Sequence, residues 1–235
     1  MSTTSIQDST LAKSLQRETT AEVLFDDFSR GLYSTDASIY QIMPLGVVVP
    51  KTEEDVRVTL NIAYENGISV TMRGAGTSQC GQTVGEGIIV DVSKNLNSLV
   101  SVDPEKRQAS VQPGIVLDQL NAMLKQHGLF FPVDVSTSSR ATIGGMTANN
   151  SCGARSIRYG KMVDNVREVD AVIADGSNMR FGKWDDGTAS AVPQRQQELV
   201  RELIELGKRE SKEVARRFPR VQRRVGGYNL DVLSA

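Results

Sequence analysis

The sequence predicts an α+β protein in two lobes, a small βαβ lobe followed by a larger lobe of mixed and antiparallel sheet with helices. Two continuous apolar runs, "LGVVVP" at 45–50 and "GIIVDVS" at 87–93, bracket a helical stretch and a further strand, the order a buried parallel sheet requires. From residue 99 onward the pattern changes to alternating segments joined by turn residues, the signature of hairpins. Two stretches rich in glycine and small residues, 71–87 and 142–156, sit beside strands and mark where backbone approaches a ligand.

Bulk properties narrow the function. At 235 residues the chain can bury a substantial core, and its 39% hydrophobic and 23% charged content is that of a globular protein. A net charge of −1 gives no whole-chain electrostatic case for nucleic acid. No run approaches the length of a membrane span, and "MSTTSIQDSTLAKSLQRETT" lacks an apolar signal-peptide core. Cys80 and Cys152 make no disulfide framework, so a cytoplasmic chain with reduced thiols is expected. With one histidine, His127, and two cysteines, neither a multi-histidine metal site nor an iron–sulfur cluster can form within the chain.

Residues 1–39 are read as an N-terminal arm, of which residues 1 to about 20 read as solvated, with a short helix as an option. After the 45–50 strand, "TEEDVRVTLNIAYENG" reads as a helix: Thr52 is the N-cap, Asp55 stands three residues on, and Gly67 is the stop. Val56, Leu60 and Ala63 share its inner face. "ISVTM" at 68–72 is the next strand, then the first glycine loop, then the 87–93 strand. "LVSVDP" and "RQASVQP" form a hairpin around "DPEK". Residues 115–128 form a helix with Leu117, Leu120 and Leu124 inward and Gly128 as the stop. "VREVDAVIADGSNMRFG" at 166–182 is a second hairpin turning at Asp175-Gly176. Residues 193–218 are helical, with Leu199, Leu203 and Leu206 inward, and an arginine-rich tail follows.

The stretch "TMRGAGTSQCGQTVGEG" holds five glycines. A Rossmann fingerprint fails there: Gln79 stands where the third glycine belongs, and the chain runs into a strand, not a helix. No P-loop is present either. What remains is a loop whose own N–H groups form an anion nest, with hydroxyl donors from Thr77 and Ser78. The second stretch, "TIGGMTANNSCG", reads as an opposing loop, and the two can clamp one extended dinucleotide.

Residues 40–182, through "PLGVVVPKTEEDV", "ISVTMRGAGTSQCGQTVGEGIIVDVS", "LFFPVDVSTSSRATIGGMTANNSCGARSIRYGKMVDNV" and "REVDAVIADG", resemble the FAD-binding domain of the vanillyl-alcohol oxidase/para-cresol methylhydroxylase superfamily. Several motifs match in order. Within the superfamily the sequence is most similar to dehydrogenases of D-lactate, D-2-hydroxyglutarate or glycolate. "LYSTDASIYQIMPLGVVVP" and "RRVGGYNLD" look like the subgroup that carries an iron–sulfur region.

The resemblance implies a two-lobed FAD-binding fold, with lobes at about 40–95 and 96–190 and a helical tail at 191–235 leading to a cap domain. It implies that Arg73, Gly74, Ala75, Gly76, Thr77 and Ser78 wrap the FAD pyrophosphate, with Gly81 and Gln82 continuing that wall. Pro132, Asp134 and Ser138 would lie along the flavin and ribityl chain, and Thr142, Gly144, Gly145, Asn150 and Gly153 would form the other wall. Tyr159 and Gly160 would stand beside the flavin, and Val172 or Ile173 would receive the adenine edge. Some relatives tether FAD through a histidine where this chain has Thr77, so FAD is expected to bind without a covalent bond there. His127 reads as a helix-end residue, and both cysteines as small, poorly exposed packing residues.

The implied activity is oxidation of a 2-hydroxy acid to the 2-oxo acid. The resemblance assigns no catalytic residue and no metal ligand here, because the family places its catalytic groups mostly on the cap. The chain is therefore expected to be an N-terminal FAD-binding fragment or one subunit of a split enzyme, with cap and iron–sulfur parts supplied elsewhere. The complete enzyme would be cytoplasmic and peripheral at the membrane. A stand-alone FAD-binding or electron-transfer subunit is the alternative.

Overall fold

The computed structural model describes residues 3–184, 192–221, 224 and 228–233. They form two compact units: residues 1–165 with 172–178, and residues 166–171 with 179–235.

The first unit is built on a four-stranded sheet of order β1-β2-β4-β3. Its strands are β1 (Glu22–Leu24), β2 (Gly46–Val49), β3 (Val70–Arg73) and β4 (Ile88–Asp91). β2 and β3 each pair parallel with β4, whereas β1 runs antiparallel to β2. Every residue of β2 and β4 is buried, which is why β2 and the first three residues of β4 are apolar; Asp91 closes β4. Val48, Ile88 and Val90 belong to the main core, and Val47, Val49 and Ile89 to a smaller cluster with Leu24 and Tyr33.

Helix α3 (Glu53–Glu65) crosses from β2 to β3 and begins with a complete capping box. Thr52 Oγ1 accepts from the Asp55 N–H at 3.1 Å, and the Asp55 carboxylate accepts from the Thr52 N–H at 3.0 Å. The expected inner face is confirmed, with Val56, Leu60 and Ala63 buried. β3 starts two residues later than the expected 68–72 strand and ends on Arg73.

The N-terminal segment corrects the expectation of a solvated arm. Helix α1 (Thr3–Glu18) places Leu11 and Leu15, one turn apart, in the main core at 4% and 0% exposure. β1 then joins the sheet, and α2 (Asp27–Leu32) follows, capped by Asp26 accepting the Ser29 N–H at 2.9 Å.

Beyond the sheet, β5 (Leu99–Asp103) and β6 (Gln108–Val111) form the expected antiparallel hairpin. α4 (Leu117–Leu124) buries Leu117, Leu120 and Leu124 and tightens into a 3-10 turn that stops at Gly128. His127 is exposed in that last turn. The stretch expected as a second glycine loop is instead partly helical. α5 (Ile143–Ala148) is capped by Thr142 and seats Ile143 and Met146 inward. The short helices α6 (Ser156–Tyr159) and α7 (Met162–Asn165) complete this region.

β7 (Val169–Val172) and β8 (Asn178–Phe181) pair in the expected hairpin, and the Ile173 N–H donates to the Ser177 carbonyl at 3.0 Å across its turn. In the second unit, α8 (Gln194–Arg217) buries Gln196, Gly207 and Val214, with Leu199, Leu203 and Leu206 half-buried on the same side. A short helix, α9 (Leu230–Leu233), follows. The expected boundary at 190–191 and the Gly226-Gly227 pair of "RRVGGYNLD" lie outside the described residues. Among the described residues, no helix is long and apolar enough to cross a membrane.

Candidate functional site

Residues 74–87 run from β3 directly into β4 without a helix, as the rejection of a Rossmann fingerprint requires. Among the described residues, the backbone N–H groups of Gly74, Ala75, Gly76, Thr77, Ser78 and Gln79 donate to no protein acceptor. These six donors are left to water or to an external acceptor. Gly74, Gly76, Thr77 and Ser78 are half-buried, while Ala75 and Gln79 are exposed.

The loop is held from outside itself. The Gly76 carbonyl accepts the Ala37 N–H at 3.0 Å. Arg73 donates to the carbonyls of Thr35 at 2.9 Å and of Tyr33 and Thr83, each at 3.3 Å. The Asp36 carboxylate accepts from Thr83 Oγ1 at 3.1 Å and from the Ser38 N–H at 2.8 Å. Burial works against its ionisation, but the bonds from Ser38 and Thr83 outweigh it and hold the carboxyl below its ordinary range. Gly76 adopts φ +67°, which favours glycine, and a Cβ there would lie 2.7 Å from Arg73 Nη2. Gly81 packs against the Tyr40 ring. Ser78 donates its hydroxyl to Gln82 Oε1 and accepts the Cys80 N–H at 3.2 Å.

The second stretch differs in kind. The N–H groups of Ile143, Gly144 and Gly145 are engaged by Ile115 O, Pro113 O and Thr142 Oγ1, at 2.9, 2.8 and 3.4 Å. This stretch therefore offers no matching nest. It meets the first loop directly, because a Cβ on Gly74 would overlap Thr142 Oγ1.

The remaining expected site residues are engaged locally. Asp134 Oδ1 accepts the Arg155 N–H at 3.0 Å, and Gly153 packs against the Asp134 carbonyl too closely for any side chain. Pro132 is half-buried two residues before Asp134. Ser138 Oγ donates to Asp118 at 3.2 Å. Asn150, at φ 47°, accepts the Val163 N–H at 3.0 Å. Tyr159 meets Phe130 edge-on at 5.8 Å, lies beneath the Arg158 guanidinium at 5.3 Å, and is followed by Gly160, which packs on Asp164. Val172 packs on the main core, and both backbone groups of Ile173 are engaged in the hairpin turn.

Cys152 is half-buried, but Cys80 is exposed in the first loop, a correction to its expected packing role. Sequence reading also missed the loop's outer supports. Asp36, Thr83, Tyr33 and Asp91 had two signals: an Asp-x-Ser turn pattern at 36–38, and a carboxylate closing an apolar strand at 91. Tyr33 donates its hydroxyl to the buried Asp91 carboxylate at 2.7 Å. Burial and then this bond push the Tyr33 hydroxyl well above its ordinary pKa. No group of three or more metal-binding side chains occurs among the described residues.

The first loop joins two parallel strands and meets the capped start of α5. Residues 44–182, more than half of the chain, match the FAD binding domain family, and the chain belongs to that family. It is 37% identical over 215 residues to the D-2-hydroxyglutarate dehydrogenase of Pseudomonas putida, covering 89% of this chain and 21% of that protein. It is 38% identical over 163 residues to the glycolate oxidase subunit GlcD of Bacillus subtilis, covering 67% of this chain and 34% of the subunit.

Among solved structures, an alkyldihydroxyacetonephosphate synthase superposes with TM-score 0.67 at 19% identity, over 75% of this chain and 38% of that one. The xylooligosaccharide oxidase of Myceliophthora thermophila gives 0.65 at 20% identity, over 76% and 38%. The fold is the two-lobed FAD-binding fold of the vanillyl-alcohol oxidase/para-cresol methylhydroxylase superfamily, and FAD is the cofactor. The chain thus spans about a fifth of the dehydrogenase and about a third of the oxidase subunit it resembles.

Proposed function

We propose that this chain is the FAD-binding part of a dehydrogenase that oxidises a 2-hydroxy acid of the D-2-hydroxyglutarate, D-lactate or glycolate type to the 2-oxo acid. The carrying observation is the run of six open amides from Gly74 to Gln79, a donor set that fits a diphosphate. Likeness to D-2-hydroxyglutarate dehydrogenases over 89% of the chain supports the substrate class. When bound, FAD supplies the acceptor for the electrons that leave the hydroxy acid.

This chain's own work is to bind and orient. The Gly74–Gln79 amides, with Gly81 and Gln82 beside them, hold the diphosphate. Thr142, Gly144, Gly145, Asn150 and Gly153 form the facing wall through side chains and close backbone packing, since the helix-start amides are already engaged. Pro132, Asp134 and Ser138 serve the flavin and ribityl side, Tyr159 and Gly160 the flavin edge, and Val172 the adenine side. Ile173 is the weaker choice for adenine because its backbone groups close the hairpin turn. Thr77 leaves FAD without a covalent tether at that position. The catalytic groups, a cap and an iron–sulfur centre come from outside these 235 residues, in a cytoplasmic enzyme peripheral at the membrane.

The test is reconstitution of the purified chain with FAD, followed by acid precipitation. A yellow complex whose flavin passes entirely into the supernatant is expected; a chain that stays colourless sinks the cofactor assignment. Assays of the complete protein with D-2-hydroxyglutarate, D-lactate and glycolate and an artificial acceptor then test the substrate class. Flavin binding without turnover of any of them favours an electron-transfer subunit.

A further inference from the structure

Trp184, the chain's one tryptophan, stands just beyond the family match at 44–182. It belongs to the second unit, shortly after the end of β8, and lines a cavity of about 240 Å³ together with residues of α8. Trp184, Gln197 and Ile204 are the half-buried part of the lining, and Arg201, Glu205 and Lys208 are its exposed part. Two bonds hold this arrangement. The buried Gln196 amide donates to the Arg180 carbonyl and ties β8 to α8. Gln197 Nε2 donates to the Val192 carbonyl at 2.9 Å.

The three charges are spaced to pair with one another, at i, i+4 and i, i+3 along α8. Farther along the same helix such pairs form: Arg216 and Arg217 each reach Glu213 at 2.7 Å. At the cavity they do not. Among the described residues, the side chains of Arg201, Glu205 and Lys208 make no ion pair or hydrogen bond. Two cations against one carboxylate leave a single positive charge beside an indole and an isoleucine.

That combination selects a ligand class. A planar ring gains by packing on an indole. A carboxylate gains from the fork of an arginine, and a lysine adds a point charge. The volume lies below the ~300 Å³ at which pockets for drug-sized ligands begin, so it suits one ring. A second acidic group would meet Glu205.

We propose that this cavity binds a small planar monoanion, an aromatic carboxylate. The ring packs on Trp184 and Ile204, the carboxylate meets Arg201 and Lys208, and Glu205 restricts the ligand to one acidic group. None of the six lining residues belongs to the FAD set named above, so the proposal stands apart from the FAD reading.

The test titrates the full 235-residue chain with benzoate, benzamide, acetate and phthalate. Tryptophan emission is followed without FAD, and calorimetry with and without FAD. With no other tryptophan in the chain, a saturable change in emission reports this cavity. Benzoate should bind at least about tenfold more tightly than benzamide, which lacks the charge, and acetate, which lacks the ring. Arg201→Met should weaken benzoate about tenfold without changing the melting temperature, because the side chain is exposed and unpaired. Phthalate, with two carboxylates, should bind wild type more weakly than benzoate and gain affinity in Glu205→Gln.

The absence of a saturable signal with benzoate overturns the proposal. So does benzamide binding equal to benzoate, or a folded Arg201→Met protein that binds benzoate as wild type does. If Arg201→Met does not fold, Lys208→Met is read in the same way. Phthalate bound as tightly as benzoate by wild type overturns the restriction to one acidic group. Loss of benzoate binding when FAD is added would put benzoate in the cofactor's place and overturns the site at Trp184.

Discussion

Gly74 and Thr142 touch so closely that no side chain fits between them: a Cβ on Gly74 would overlap the Thr142 hydroxyl oxygen. That oxygen belongs to a β-branched side chain at 3% exposure and caps α5 by accepting the Gly145 N–H. The first loop and the start of α5 are therefore fixed against each other. Gly74→Ala must displace the cap or the loop, at about 1–3 kcal/mol. We expect a lowered melting temperature and at least tenfold weaker FAD binding by calorimetry. Unchanged values for both would show that the contact yields without consequence.

Asp55 ties the N-terminal segment to the start of α3. Its buried carboxylate accepts the Thr20 N–H at 2.7 Å, the Lys51 N–H at 2.9 Å and the Thr52 N–H at 3.0 Å. Burial opposes ionisation, but these bonds outweigh it and hold the carboxyl below its ordinary range. A carboxyl with a depressed folded-state pKa stabilises the fold above its unfolded value of about 4 and loses that contribution as pH falls through the folded value. Denaturant titrations from pH 3 to 7 should show wild-type stability dropping at the acid end. Asp55→Asn should be less stable at pH 7 and flatter in that window. A parallel pH dependence for the two proteins would rule out Asp55 as the source.

Leu15, with no exposed surface, anchors α1 in the main core. Leu15→Ala should cost about 2–5 kcal/mol, the usual range for emptying a buried leucine site. Denaturant unfolding followed by circular dichroism reads this directly. A cost below about 1 kcal/mol would return α1 to the solvated arm that its composition suggests.

The difference between α1 and β2 explains what the sequence made legible. β2 and β4 announce themselves because strands buried on both faces are largely apolar, and the one buried charge, Asp91 at the end of β4, is hydrogen-bonded by Tyr33 and Ser93. α1 docks through Leu11 and Leu15 in polar surroundings, too sparse a stripe to separate from a solvated helix. α5 was hidden for another reason. Its Gly144-Gly145 pair lowers helix propensity, but Gly144 is required where the helix start packs on Pro113, and the Thr142 cap restores the turn. The nest at 74–79 was legible because its glycines lie between two recognisable strands. Its brace at residues 33–36 was not, since the partners of Arg73 are carbonyl groups that every residue carries.

Tyr33 links that brace to the sheet, stacking under Arg73 and donating its hydroxyl to Asp91 at 2.7 Å. Asp91 is 3% exposed, and its other oxygen accepts from the Ser93 N–H and hydroxyl at 2.8 and 2.6 Å. Burial, then the Asp91 bond, raises the Tyr33 pKa. A group raised in the folded state stabilises fully below its unfolded pKa, about 10 for tyrosine, and loses that contribution as pH rises through the folded value. Wild-type stability should therefore fall in the alkaline range above pH 10. Tyr33→Phe should remove this component and lower stability at pH 7 by about 1–3 kcal/mol, because it leaves a buried carboxylate oxygen without its donor. An ultraviolet titration supplies the second readout: the folded wild type should retain a non-ionised tyrosine at a pH where Tyr33→Phe has none. Coincident titration curves would mean that the Tyr33–Asp91 bond does not govern this hydroxyl.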